Sequence, residues 1–238
     1  MTLLLLNSTN NVYAAADYAR EQRWADEITP AIVVGEALYL QQKNQHKFLV
    51  LYTENVKATM GLVIVHGMGL HPDWGMINTL RQDLVEEGYS TLSIQMPVLA
   101  ADADFRAYPA VFSEAAERIQ HAVSFLKTNG YKRIALVSHS NGSRMTRVYM
   151  MQNPLEVTAW VALSLTQGDT YAGINAPILD LYGEKDLPHV LSSVSKRKNS
   201  LLNIKSNQVV INGGDHFFID HENEMLKAVS DFLKNHDQ

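Results

Sequence analysis

Residues 133–142 read RIALVSHSNG, an apolar run that passes without a break into Ser138-His139-Ser140-Asn141-Gly142 and then into the helical pattern NGSRMTRVYMMQN, 141–153. Strand, sharp turn and helix in direct succession is the setting in which a nucleophile is held on a strained elbow. The residues two before and two after the middle position crowd each other there and must be small, and Ser138 and Gly142 both are. Ser140 is therefore the candidate nucleophile. Serine in place of the commoner glycine at the first position makes S-x-S-x-G a weaker signature, and a plain alternative exists in which Ser140 only caps the helix.

The chain on either side repeats the same alternation. Strand-like runs GLVIV (61–65), YSTLSIQMP (89–97), TAWVALSL (158–165), PILDLYG (177–183) and NQVVING (207–213) alternate with helical patterns at 76–88, 113–130, 188–202 and 222–237. Continuous apolar runs such as LVIV and IALV belong to strands covered on both faces, which predicts a mostly parallel sheet in a three-layer α/β/α sandwich. Before it come an amphipathic helix, YAREQRWADEI (18–28), and two β-rich runs, AIVVGEALYLQ from Ala31 and KFLVLYTE from Lys47, parted by a polar turn. These predict an antiparallel N-terminal hairpin. Gly88, Gly130 and Gly142 fall at helix ends, and Ser113 stands before a helical run with Glu117 close behind, so punctuation and periodicity agree.

At 238 residues and 46% hydrophobic content, 17–238 reads as a single domain. A formal charge of -5 and a pI near 6.0, with basic residues scattered, leave no electrostatic footprint for nucleic acid. With no cysteine, thiolate nucleophiles, disulfides and cysteine-ligated metals are excluded. No apolar run approaches the ~18 residues of a transmembrane helix. Residues 1–16 read either as the remnant of an export signal, a short leucine cluster followed by Ala14, Ala15 and Ala16, or as a frayed cytoplasmic terminus.

A serine hydroxyl needs a general base, itself oriented by a third group. Strand PILDLYG runs into Glu184-Lys185-Asp186, and the last strand into Gly213-Gly214-Asp215-His216. The chain order nucleophile, acid, histidine, each on a loop past a strand, assigns Asp186 as acid and His216 as base, with Phe217-Phe218 as an apolar anchor for the ring. Glu184 and Asp180 are rival acids, Asp180 lying inside its strand; His221, at the start of the last helix, is the rival base.

Strand GLVIV ends in His66-Gly67-Met68-Gly69, an H-G-x-G loop suited to donating a backbone N–H to a developing oxyanion; the donors are assigned to Met68, with Gly67 as runner-up, and Asn141. His66 reads as a brace for this loop. His71 and Trp74 either line a substrate pocket or belong to a rigid turn begun by Pro72-Asp73. The insertion PVLAADADFRAYPAVF (97–112) brings Phe105, Tyr108 and Phe112 towards the pocket, whereas the short connection 166–176 leaves no room for a large cap domain. No histidine spacing supports a metal site, and no cofactor is expected.

With these residues placed, the stretch from Met60 to the C-terminus resembles the α/β-hydrolase superfamily, including esterases and dienelactone-hydrolase-like members. YAREQRWADEI, VVGEALYL, HGMGLHPDW and TLSIQMP together resemble a poorly characterised bacterial family of α/β-hydrolase-like proteins. The resemblance implies serine-type hydrolysis of a small-molecule ester, and it inclines the location towards the periplasm over the cytoplasm. A thioesterase or amidase would use the same residues, and a non-catalytic binding protein on this fold is the alternative of a different class.

Overall fold

The computed structural model describes residues 15–166 and 168–237; residues 1–14, which hold most of the signal-like opening, lie outside the described residues. Eight strands form one sheet: β1 (Glu36–Gln41), β2 (Lys47–Thr53), β3 (Met60–Val65), β4 (Ser90–Ile94), β5 (Arg133–His139), β6 (Ala159–Leu163), β7 (Ile178–Gly183) and β8 (Asn207–Ile211). Their spatial order is β1-β2-β4-β3-β5-β6-β7-β8. β2 runs antiparallel to β1 and β4, and every other pairing is parallel. The predicted hairpin and mostly parallel sheet are thus both present.

Seven helices flank the sheet among the described residues: α1 (Tyr18–Ile28), α2 (Gly75–Glu86), α3 (Phe112–Thr128), α4 (Asn141–Gln152), α5 (Pro188–Leu191), α6 (Val194–Asn199) and α7 (Glu222–Lys234). The strand period of two divides the core between them. Val63, Val65, Leu136, Trp160 and Ala162 pack with α3 and α4, while Leu62, Ile64, Ala135, Val137, Val161 and Leu163 pack with α2 and α7. Both sets are fully buried, which is why these strands read as unbroken apolar runs. Leu49 and Leu51 of β2 meet Ala25 and Ile28 of α1 at one end of the sheet. Among the described residues no helix is long and apolar enough to cross a membrane.

Three boundaries differ from the sequence reading. β1 starts at Glu36, not Ala31: Thr29–Ala31 forms a 3-10 turn with Pro30 in its first turn, and Gly35 has φ +80° beside the carbonyl of Tyr52. Ser113 is not a cap, because a 3-10 helix over Phe105–Val111 runs straight into α3. The helical stretch 188–202 divides into α5 and α6.

The sheet's order reverses at β3. The connection from β3 to β4 runs one way along the sheet and the connection from β4 to β5 crosses back past β3, opening a crevice beyond the carboxyl ends of β3 and β5. The loops after β3, β5, β6, β7 and β8 all end at this edge, and no large cap separates β6 from β7.

Candidate active site

Ser140 links β5 to α4 with φ 55° and ψ -123°, a conformation that costs a non-glycine residue about 1–3 kcal/mol and persists only where its surroundings hold it. The Ser140 N–H donates to the Leu163 carbonyl of β6 (2.8 Å), and the Ser143 N–H donates back to the Ser140 carbonyl (3.0 Å). Gly142 is obligatory by contact: a Cβ there would sit against the His66 carbonyl oxygen and 2.8 Å from that of Val65. Ser138, where glycine is commoner, is buried but satisfied, accepting from the Trp160 indole at 2.7 Å and facing the Ser143 hydroxyl at 3.0 Å.

His216 and Asp186 converge on this turn from the loops after β8 and β7. The Ser140 Oγ lies 3.0 Å from His216 Nε2, and His216 Nδ1 lies 2.6 Å from Asp186 Oδ1. A carboxylate can only accept at Nδ1–H, so Nε2 is left to accept the serine proton. The two loops interlock, since a Cβ on Gly183 would meet the carbonyl oxygens of Gly214 and Asp215. Phe218 is fully buried and Phe217 packs on the His216 ring, 5.1 Å between centroids, so the expected apolar anchor is in place. Burial alone would raise the Asp186 carboxyl. Hydrogen bonds from His216, from the Ser164 hydroxyl (2.6 Å) and from the Leu187 N–H (2.7 Å) outweigh it and hold the group below the ordinary carboxylate value.

The rival residues are engaged elsewhere. Asp180 is buried in an ion pair with Arg197 (2.9 Å) and accepts from the Tyr171 hydroxyl. Glu184 accepts from the Gly213 N–H, and His221 lies beside Glu224 at the start of α7.

The loop after β3 closes over Ser140. Gly67 leaves so little space that an added Cβ would stand 3.1 Å from the Ser140 Cβ. Among the described residues the N–H groups of Met68 and Asn141 have no protein acceptor, and both residues line the cavity beside Ser140. His66 is buried beneath, its Nδ1 donating to the Gly67 carbonyl (2.8 Å) and its Nε2 accepting from the Met96 N–H (2.9 Å). Burial pushes His66 down to about 3, which keeps it neutral in this bracing role.

The cavity measures about 380 Å³ and is walled by Met68, Leu70, Phe105, Leu187 and Phe217, with Thr166 and His189 at its polar side. Of the five residues considered for the pocket, Phe105 lines it and the other four do not. Tyr108 is buried in the core, where its hydroxyl faces the Leu99 N–H at 3.4 Å. His71 and Trp74 belong to the rigid turn: Asp73 between them accepts from Arg81 (2.7 Å) and Asn78 (2.7 Å), and Trp74 packs behind Phe217 at 5.0 Å. Phe112 is also a core residue.

Two contributors were not anticipated. Ser164, just past β6 with φ 53°, holds the far oxygen of Asp186. His139 donates from Nε2 to the His216 carbonyl (2.9 Å), tying the histidine loop to the serine turn, and burial pushes it down to about 3. Each lies at the carboxyl end of a strand next to Ser140, and that position was the available signal.

A search of solved structures returns proteins of one architecture. Est1E from Butyrivibrio proteoclasticus with ferulic acid bound superposes with a TM-score of 0.72 at 16% identity, over 84% of this chain and 99% of that one. A dienelactone hydrolase from Anabaena variabilis gives 0.71 at 17% identity, covering 84% and 96%. XC6422 from Xanthomonas campestris, described as a serine hydrolase without a lid, gives 0.69 at 13%, covering 86% and 95%. The chain has the α/β-hydrolase fold. In this α/β-hydrolase fold Ser140, Asp186 and His216 occupy the loops after β5, β7 and β8. Residues 20–115 match the model of a family described as a protein of unknown function, DUF3530. No curated protein matches the sequence.

Proposed function

We propose that the protein is a serine hydrolase that cleaves a carboxylic ester. The observation that carries this reading is the continuous line from Ser140 Oγ to His216 Nε2 and from His216 Nδ1 to Asp186, beside two unengaged backbone N–H groups. Ser140 attacks the acyl carbon while its proton passes to His216 Nε2, and Asp186 stabilises the imidazolium. The N–H groups of Met68 and Asn141 receive the oxyanion, each such donor being worth about 3 kcal/mol in the transition state. His216 then returns the proton to the leaving alcohol, and water repeats the sequence on the acyl-enzyme. The strained backbone of Ser140 supports this reading, as do fold neighbours named as hydrolases.

Hydrolysis of p-nitrophenyl acetate by the wild type beside Ser140→Ala, His216→Ala and Asp186→Asn tests it. Loss of roughly 10⁴-fold or more in kcat for the serine and histidine variants, with unchanged circular dichroism, is expected. Undiminished turnover in those folded variants would refute the assignment.

A further inference from the structure

Among the described residues, the wall of the cavity beside Ser140 carries no lysine, arginine, aspartate or glutamate. Five of its residues are apolar, Met68, Leu70, Phe105, Leu187 and Phe217, and they approach from four different loops. Its remaining polar groups are neutral side chains. Thr166 offers a hydroxyl, Asn141 an amide, and His189 an imidazole whose basicity is lowered by partial burial and by the nearby His216.

Three charged side chains beside wall residues are already matched elsewhere. Arg144 stands behind Asn141, where its Nε donates to Asp169 (2.8 Å) and its Nη1 to the Asn141 Oδ1 (3.3 Å). Arg106, next to Phe105, pairs with Asp104 in solvent. Asp186 is screened from the cavity by His216, to which it is bonded.

We propose that this site selects uncharged esters with apolar substituents and discriminates against esters carrying a carboxylate near the scissile bond. The inference rests on the serine-hydrolase reading of Ser140. An anionic substituent would leave water for a wall with no cation to receive it, an uncompensated desolvation. It would also stand about 6 Å from the oxyanion formed in the transition state, while the His216 imidazolium formed with it is already paired with Asp186, so the repulsion at an effective dielectric of about 20 corresponds to at most roughly 100-fold in rate.

Ethyl butyrate and monoethyl succinate have acyl chains of nearly equal length and differ in one terminal carboxylate, so they isolate this effect. Acid release from each is followed by pH-stat in the wild type and in Phe105→Arg, and labelling of Ser140 by a neutral fluorophosphonate is measured in parallel. Phe105 is half-exposed at the rim, so arginine there adds a cation without emptying the core. The expected result is a kcat/KM about 100-fold lower for the succinate, with the gap narrowed at least tenfold in Phe105→Arg. A gap under tenfold in the wild type overturns the selectivity while leaving the hydrolase reading intact. Absence of both labelling and hydrolysis of either ester overturns the hydrolase reading, and the selectivity with it.

Discussion

Ser164 shows how much of the site's geometry depends on a residue outside the relay itself. Its hydroxyl donates to Asp186 Oδ2 at 2.6 Å while Asp186 Oδ1 accepts from His216, so the carboxylate is held at both oxygens. Hydrogen bonds to a charged group contribute about 1.5–3 kcal/mol, and part of that is felt as orientation. Ser164→Ala is expected to lower kcat on p-nitrophenyl acetate roughly tenfold with KM little changed. Ser164→Gly also lacks the hydroxyl but accepts φ 53° without the penalty a Cβ brings, so it should match alanine in kcat yet be about 1 kcal/mol more stable to urea. Unaltered kcat in both variants would remove Ser164 from any positioning role. Its place just past an apolar strand is the only local signal of this serine. It follows an apolar strand like any loop residue, and its function exists only because β6 and β7 are neighbours that bring the loops after them together.

The elements themselves were readable because their signals are local. β3, β5 and β6 are buried on both faces and so are uniformly apolar, while α3 and α7 show the helical period with glycine or polar stops. The loops that carry Ser140, Asp186 and His216 were placed for the same reason, each being a short motif next to a strong strand. What was not readable depends on distant contacts. β1 begins late because Gly35 abuts Tyr52, and within one insertion Tyr108 turns into the core while Phe105 reaches the cavity. The pocket wall is the clearest case, since Leu70, Leu187 and Phe217 come from three loops whose convergence no window of sequence contains. The convergence of β3, β5 and α4 is tightest at Gly142, whose missing Cβ lets the helix start lie on the carbonyls of Val65 and His66. Gly142→Ala should therefore destabilise by about 1–3 kcal/mol, as overpacking does, and abolish measurable ester hydrolysis by displacing the Asn141 N–H. A urea midpoint and a turnover number both equal to wild type would contradict this account of the elbow.

At the scale of the whole molecule, two histidines buried on either side of the serine turn tie stability to pH. His66 Nε2 accepts from Met96, a bond that protonation would break, and the His139 Nδ1 has no partner among the described residues. Burial pushes both down to about 3, against an unfolded value of 6.5. Between those values the unfolded chain binds the more protons, so stability is full above pH 6.5 and is lost as pH falls. At pH 4.5 the loss is roughly 5 kcal/mol for the pair, a large fraction of the stability of an ordinary domain. Glu21 works in the opposite sense. Burial raises it above its ordinary value despite the Arg118 guanidinium beside it, so it returns some stability as pH falls through its raised value, and the depressed Asp186 matters only below 3.8. Both histidines act in the same sense, and the urea midpoint should fall from pH 7 to 4.5. In His139→Gln, whose amide can still donate to the His216 carbonyl, the fall should be about half as steep. A flat profile in the wild type, or an identical slope in the variant, would mean that these imidazoles reach solvent and that the serine turn is not sealed from beneath.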